Sequence, residues 1–522
     1  MLSSAIIITV ISYLVYRRIK NRRYNELISK IPCPPRSKIP FLGHLYLITE
    51  EISKLPPGAK LGEAYFKHQM RVAEEFKHEG IVATDFEILG GTFIYILKAN
   101  MYRDLITDTK NISKSKFYFL ASDFLGNSNL LVSNGNTWKV ARKLITPAFH
   151  YSILEQFAPN FNACANDLCN EIYVKKYTDN LYGLASHYLM KSFMETSLGI
   201  NLTKENENIV DEYLLNYESW NEGYSERITK AAYAYDWIWR LSPNYSKWKK
   251  NIEYLHNFTS KAITKRMEYL TRHNEENFPS KNVNNDTIPQ KKKSCLADTL
   301  IREHINNPEL YTFEYIRYQL DTFTFAGHDT TSITLTNTLY LIALYQDVQK
   351  KLKQEINDSL TMEELESISV ESLGKLKYLD AVLKESQRLY PAVSTIGREI
   401  THEMIIDKYT IPKGAFIAFN LYALNRDPDQ FSNPNIFNPD RFLPDSEENK
   451  KRHPFAFVPF SGGLRNCIGQ KFAIYELKIF LIKILSKFDV VTNVKQEDIR
   501  FCQGVTLQVS NKIDMEFIPR NQ

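Results

Sequence analysis

Apolar positions along this chain follow two periods in turn. Residues 80 to 98 (GIVATDFEILGGTFIYILK) are dense in β-branched and aromatic side chains around a central Gly-Gly, which predicts a β-hairpin. From about 100 to 270, apolar residues recur at spacings of three and four, which predicts mostly helix. Residues 312 to 356 continue that period as a long helical stretch, read as two helices. Short strand-like pieces return near 403 to 419 and near 500 to 517. Residues 272 to 294 break the pattern with Asn clusters and two prolines, and read as a polar surface loop. No internal repeat and no linker divides the chain. The sum is a mainly α fold with a minor β part.

The first residues follow a different rule. Leu2 to Tyr16 is uncharged and mostly apolar, and Arg17, Arg18, Lys20, Arg22 and Arg23 follow it directly. A cleaved secretory signal carries its charge before the apolar run and ends in small residues, and this segment does neither. It reads as a membrane anchor, either spanning with help from snorkelling Arg and Lys or lying on the membrane surface. If it spans, the positive charges place everything after Arg17 in the cytosol. Ile31-Pro32-Cys33-Pro34-Pro35 then reads as a stiff, extended hinge. The expected organisation is an anchor and basic stop at 1–23, a hinge at 24–40 and one large domain at 41–522.

Composition narrows the class. A 522-residue chain with 13% aromatics has ample material for a large core. Its net charge of +5 comes from scattered basic residues, with no arm for nucleic acid. The six cysteines show neither a disulfide framework nor metal-ligand spacing, which suits a reducing compartment.

Candidate chemistry centres on Phe460-Ser461-Gly462-Gly463-Leu464-Arg465-Asn466-Cys467-Ile468-Gly469. It presents one cysteine on a glycine-rich loop ahead of an apparent helix, a place that favours thiolate. A lone thiolate can serve as axial ligand to haem iron, where it pushes electron density toward the metal. Upstream, Ala326, Gly327, His328, Asp329, Thr330 and Thr331 fall inside the long helix. Gly in a helix costs about 0.5–1 kcal/mol relative to Ala, so Gly327 suggests a close approach. Asp329 and Thr330 form an acid–alcohol pair suited to delivering protons as positioned general acids. Glu385 and Arg388 stand three apart on one helix face, and Trp138 and Arg142 stand four apart on another.

Taken in order, these motifs resemble the cytochrome P-450 enzymes, the haem-thiolate monooxygenases, over about residues 30 to 518. The resemblance implies the cytochrome P-450 fold and a haem b whose axial thiolate is Cys467. It implies that Asp329 and Thr330 serve oxygen activation. Trp138, Arg142, Arg398 and Arg465 would bind the haem propionates, and Phe460 and Gly463 would shape the ligand loop. Glu385, Arg388 and Arg441 (in Asn438-Pro439-Asp440-Arg441-Phe442) would form a buried ion-pair network for folding and haem retention.

Trp138 to His150, Phe323 to Thr331 and Phe460 to Ala473 resemble the microsomal family-4 branch, the fatty-acid hydroxylase group. One departure matters. Many members of that branch carry, where this chain has Ala326, a Glu that esterifies the haem, so haem here is expected to be non-covalent. Leu464 and Gly462 also replace a frequent Pro and Ala, both tolerably. Substrate contacts are expected from 115–134, 213–245, 392–397 and 501–509. The aromatic-rich second segment reads equally as membrane-facing.

The resemblance further implies an endoplasmic-reticulum membrane location and a lipophilic substrate, lipid or xenobiotic. Dioxygen would be the co-substrate, with electrons from NADPH through cytochrome P-450 reductase and cytochrome b5 as an optional helper. Lys139, Lys143, Lys471 and Lys478 are candidate charges for reductase docking. Two rivals remain at this stage: a peroxide-using haem-thiolate isomerase or dehydratase, and a catalytically silent ligand carrier. The intact Asp329-Thr330 pair speaks against the first and the complete motif set against the second.

Overall fold

The computed structural model describes Tyr16 and residues 21–39, 42–86, 91–203, 205–272 and 295–520. The apolar run before Tyr16 and residues 273–294 of the expected polar loop lie outside the described residues. Among the described residues, no helix is long and apolar enough to cross a membrane.

Helices dominate. Those that build the site are α1 (Arg22–Ile28), α2 (Leu45–Ser53), α3 (Leu61–Glu75), α4 (Gly135–Ile145), α5 (Ala158–Lys175), α6 (Leu181–Phe193), α7 (Asn208–Thr229), α8 (Tyr245–Arg272), α9 (Phe313–Leu344), α10 (Gln346–Ser359), α11 (Lys377–Leu389) and α12 (Gln470–Lys487). The strands are β1 (Ile81–Phe86), β2 (Gly91–Ile96), β3 (Tyr177–Thr178), β4 (Thr395–Glu399), β5 (Met404–Ile406), β6 (Tyr409–Ile411), β7 (Phe416–Asn420), β8 (Phe488–Val491), β9 (Phe501–Gln503), β10 (Leu507–Val509) and β11 (Met515–Pro519). They form a four-stranded sheet in the order β1-β2-β7-β4 and three small sheets. The expected hairpin is β1–β2, antiparallel, with Ile81 opposite Ile96. The expected double helix at 312–356 is α9 and α10. Thr312 starts α9 by accepting the Tyr315 N–H at its side chain, and satisfies one orphan donor of the first turn.

The segment read as a hinge is partly helical and is tied to the sheet. α1 takes in residues 24–28 and buries Ile28, since one apolar side chain of RRYNELI finds a pocket against the sheet-side core. Beyond it, the Pro32 carbonyl accepts the Ala83 N–H at 2.8 Å, and Tyr46 Oη donates to the Pro35 carbonyl at 2.7 Å. Prolines lack N–H groups but keep their carbonyls, so the stretch docks as a one-sided strand partner.

α9 is the axis of the larger core. Nearly all its side chains from Gln319 onward are buried, including Leu335, Leu339 and Ile342, with α6, α8, α11 and α12 packed against it. A helix apolar all round is one enclosed by others. The segment 213–245 has both buried and exposed aromatic and apolar residues. Tyr213, Tyr217, Trp220 and Trp239 are core, whereas Leu215, Trp237 and Leu241 are exposed.

Candidate active site

Cys467 lies three residues ahead of α12. Its N–H donates to the Phe460 carbonyl at 2.9 Å, which closes the loop. Gly463 is required twice over: its φ is +62°, and a Cβ there would stand 2.1 Å from the Ile106 carbonyl oxygen. Gly462 is free of that demand, since its Cβ would meet nothing nearer than 3.5 Å. Cys467 lines a cavity of about 500 Å³, together with Phe460, Thr330, Ala326 and Trp138. Burial pushes its thiol above the ordinary range, against the opposing Gly469 N–H and the Arg142 guanidinium. A metal cation bound at sulfur would favour the thiolate.

A group of cations lies beside this loop, and Arg142 and Arg465 of the group line the cavity. Arg142 donates from Nη1 and Nη2 to the carbonyl and Oδ1 of Asn466 at 2.9 and 2.7 Å. Arg465 donates from Nη2 to the Ser133 carbonyl at 2.7 Å, and its guanidinium lies 4.2 Å from the Trp138 ring centroid. Arg398 donates from Nη1 to the Gly397 carbonyl at 3.0 Å. Arg398 Nη2 and Arg465 Nη1 are buried with no partner. Lys114 joins them, a residue that sequence reasoning missed. Burial, then Arg398 and Arg465, hold its amine well below the usual range, and the same burial pushes Arg465 down to about 9. None of these four cations pairs with a carboxylate among the described residues. Unneutralised buried cations call for an anion. A haem with two propionates fits that need: Arg398, Arg465, Arg142 and Lys114 would hold the propionates, and Cys467 the iron.

The acid–alcohol pair is split between two environments. Thr330 lines the cavity, with Oγ1 donating to the Ala326 carbonyl at 3.0 Å. Asp329 points elsewhere and is fully buried. It accepts from Tyr182 Oη at 2.6 Å, Thr506 Oγ1 at 2.9 Å and Gln508 Nε2 at 3.4 Å. Of these three donors only Thr506 also lines the cavity. Neither Tyr182 nor the two β9–β10 residues carried a motif that sequence reasoning could use. Gly327 does line the cavity, but its missing Cβ makes room for the Phe193 ring, which would stand 2.3 Å away. Glu476 of α12 is a further buried acid without a motif of its own. Burial pushes its carboxyl up to about 8, and Ser192 Oγ donates to its Oε1 at 2.6 Å.

Behind the loop, Glu385, Arg388 and Arg441 do form one network. Arg388 binds Glu385 through Nε and Nη2 at 2.7 and 2.8 Å, and Arg441 Nε reaches Glu385 Oε1 at 3.1 Å. Asn438 N–H adds a fourth donor at 2.9 Å, and Arg388 spends its other N–H groups on the carbonyls of Asn425, Pro434 and Ile436. Each of the four expected substrate segments contributes to the cavity wall, through Phe117, Trp220, Thr395 and Val505 among others. One docking residue is corrected. Lys478 is buried and salt-bridged to Asp380 at 2.5 Å, because it lies on the packed face of α12. Lys139, Lys143 and Lys471 are exposed.

A mainly helical fold, a lone cysteine at the floor of an apolar cavity and a cationic border without anions define a haem-thiolate monooxygenase. Residues 80–517 match the family model for cytochrome P450, and the chain belongs to that family. Its relatives lie in family 4. The chain is 31% identical over 491 residues to human cytochrome P450 4V2, covering 92% of this chain and 88% of the relative. It is 33% identical over 438 residues to the probable cytochrome P450 4ac1 of Drosophila melanogaster, covering 82% of each. A solved structure, retinoic acid-bound cyanobacterial CYP120A1, shares the fold at a TM-score of 0.71 and 20% identity, covering 94% of this chain and all of that one.

Proposed function

We propose that this cytochrome P450 monooxygenase inserts one oxygen atom of dioxygen into a lipophilic substrate, with electrons from NADPH through a membrane flavoprotein reductase. The observation that carries the reading is the convergence of one apolar cavity on Cys467 and Thr330. Haem, held without a covalent link because Ala326 has no carboxyl to esterify it, supplies the oxygen-activating chemistry. The protein supplies position and protons. The cavity excludes bulk water. The Thr330 hydroxyl holds a polar partner at the reacting centre. Asp329 takes up protons from the side of half-buried Tyr182 and Gln508 and exchanges them with the cavity through Thr506. The basic stretch after the N-terminal apolar run suits attachment to the endoplasmic reticulum. Lys139, Lys143 and Lys471, exposed near the Cys467 loop, offer charge to the reductase, with cytochrome b5 as an optional second donor.

Replacing Thr330 with Ala is expected to uncouple the reaction. NADPH consumption continues while product per NADPH falls several-fold. Coupling unchanged from wild type, measured by NADPH loss against product, contradicts the role given to Thr330. A peroxide-using isomerase would instead form its product from a lipid hydroperoxide with neither NADPH nor reductase present, and leave the unoxidised lipid untouched when both are supplied.

A further inference from the structure

The cavity has a second polar site away from the cationic border. Tyr65 and Gln69 stand four apart on one face of α3 and both line the cavity. Gln69 is buried, and its Oε1 accepts from Thr395 Oγ1 of β4 at 3.1 Å. Tyr95 of β2 is 2% exposed and also lines the cavity. Its hydroxyl stands beside those of Tyr65 and Thr84.

The register of the sheet keeps cations off this wall. Tyr95, Ala418 and Gly397 lie side by side across β2, β7 and β4, and Thr395 shares the Gly397 face. Arg398 alternates off this face and lies within electrostatic reach of Lys114 and Arg465 in the cationic group. Among the described residues lining the cavity, the only cations are Lys114, Arg142 and Arg465, all in the border beside Cys467. Arg71, on α3 as well, is engaged by Glu50 and Glu51 at 2.8 and 3.1 Å. Phe93, Phe117 and Phe416 pack together at centroid distances of 4.7 to 5.2 Å and add an apolar collar to the same cavity.

We infer that Tyr65, Gln69, Tyr95 and Thr395 form a subsite for the neutral polar headgroup of a long-chain lipid, an alcohol or amide rather than a free carboxylate. A phenol O–H and a carboxamide donate to and accept from such a group without any charge. A carboxylate would enter this wall with no cation to meet it, and pays the desolvation of a full charge. The inference rests on reading the Cys467 cavity as the substrate site.

The test titrates the purified holoenzyme with dodecan-1-ol, dodecanamide, dodecanoic acid and dodecane, following the substrate-induced change in haem absorption. At neutral pH the alcohol and amide are expected to bind at least about tenfold tighter than the acid, a difference of about 1.4 kcal/mol. Acid affinity should rise as pH falls toward the carboxyl pKa of about 4–5, while alcohol affinity stays flat. Tyr95→Phe and Gln69→Leu should each weaken alcohol and amide about tenfold and leave dodecane unchanged. Acid binding as tightly as alcohol at neutral pH overturns the inference, and so does discrimination that survives both variants. Binding of none of the four, with a normal thiolate-type carbon-monoxide spectrum, overturns it while leaving the haem-thiolate reading intact. Loss of that spectrum in the wild type would instead count against the reading of the site.

Discussion

Glu385→Gln is expected to destabilise the protein by about 3–5 kcal/mol, since it leaves buried Arg388 without its anion and Arg441 with Glu448 alone. Glu385 and Arg388 are completely buried, and Arg441 nearly so. The amide would still present one acceptor oxygen, but its NH₂ would face the Arg388 or Arg441 fork with donor against donor. The network ties α11 to the Asn438–Phe442 segment and to the carbonyls that Arg388 holds. Haem retention should therefore fall together with stability. Urea unfolding followed by circular dichroism, with haem content read on the same samples, measures both. A loss under about 1 kcal/mol would mean that the three residues act as an ordinary surface pair.

Asp329→Asn is expected to lower turnover by about 10²–10⁴-fold while the fold and the carbon-monoxide spectrum stay intact. The asparagine is nearly isosteric, and the Thr506 hydroxyl can turn to accept from the new amide, so packing survives. What goes is the group able to take up and release a proton. Thr506→Val should reproduce part of the loss, because it removes a cavity-lining hydroxyl hydrogen-bonded to Asp329. A solvent isotope effect on turnover, larger in both variants than in wild type, would tie the loss to proton movement. An Asp329→Asn enzyme with wild-type turnover contradicts the assignment.

What could be read from the residues follows the range of each interaction. The β1–β2 hairpin and the α9–α10 pair are local patterns that a period reveals, whereas the Glu385–Arg388 ion pair on α11 was expected only from the family resemblance, since a spacing of three alone also fits a solvated surface pair. The Cys467 loop was legible because Gly463, Arg465 and Cys467 act within a few residues of one another. Lys114, Tyr182 and Thr506 were not legible, since each acquires its role through groups far along the chain: Tyr182 and Asp329 are 147 residues apart, and Thr506 and Asp329 are 177 apart. Lys478 misled for a related reason. Its stem and charge are absorbed by packing against α11, through Asp380, which no spacing within α12 records. In the proline stretch, the carbonyls of Pro32 and Pro35 found donors in Ala83 and Tyr46, and that docking is tertiary.

The central claim is that Cys467 places a thiolate on haem iron at the floor of a cavity built for oxygen insertion. The ferrous carbon-monoxide difference spectrum of the purified holoenzyme, taken beside Cys467→Ala, tests it most directly. The account predicts thiolate-type absorption in the wild type and its absence in the variant. A wild-type spectrum of the histidine-ligated type, or a thiolate-type spectrum that persists without Cys467, contradicts it.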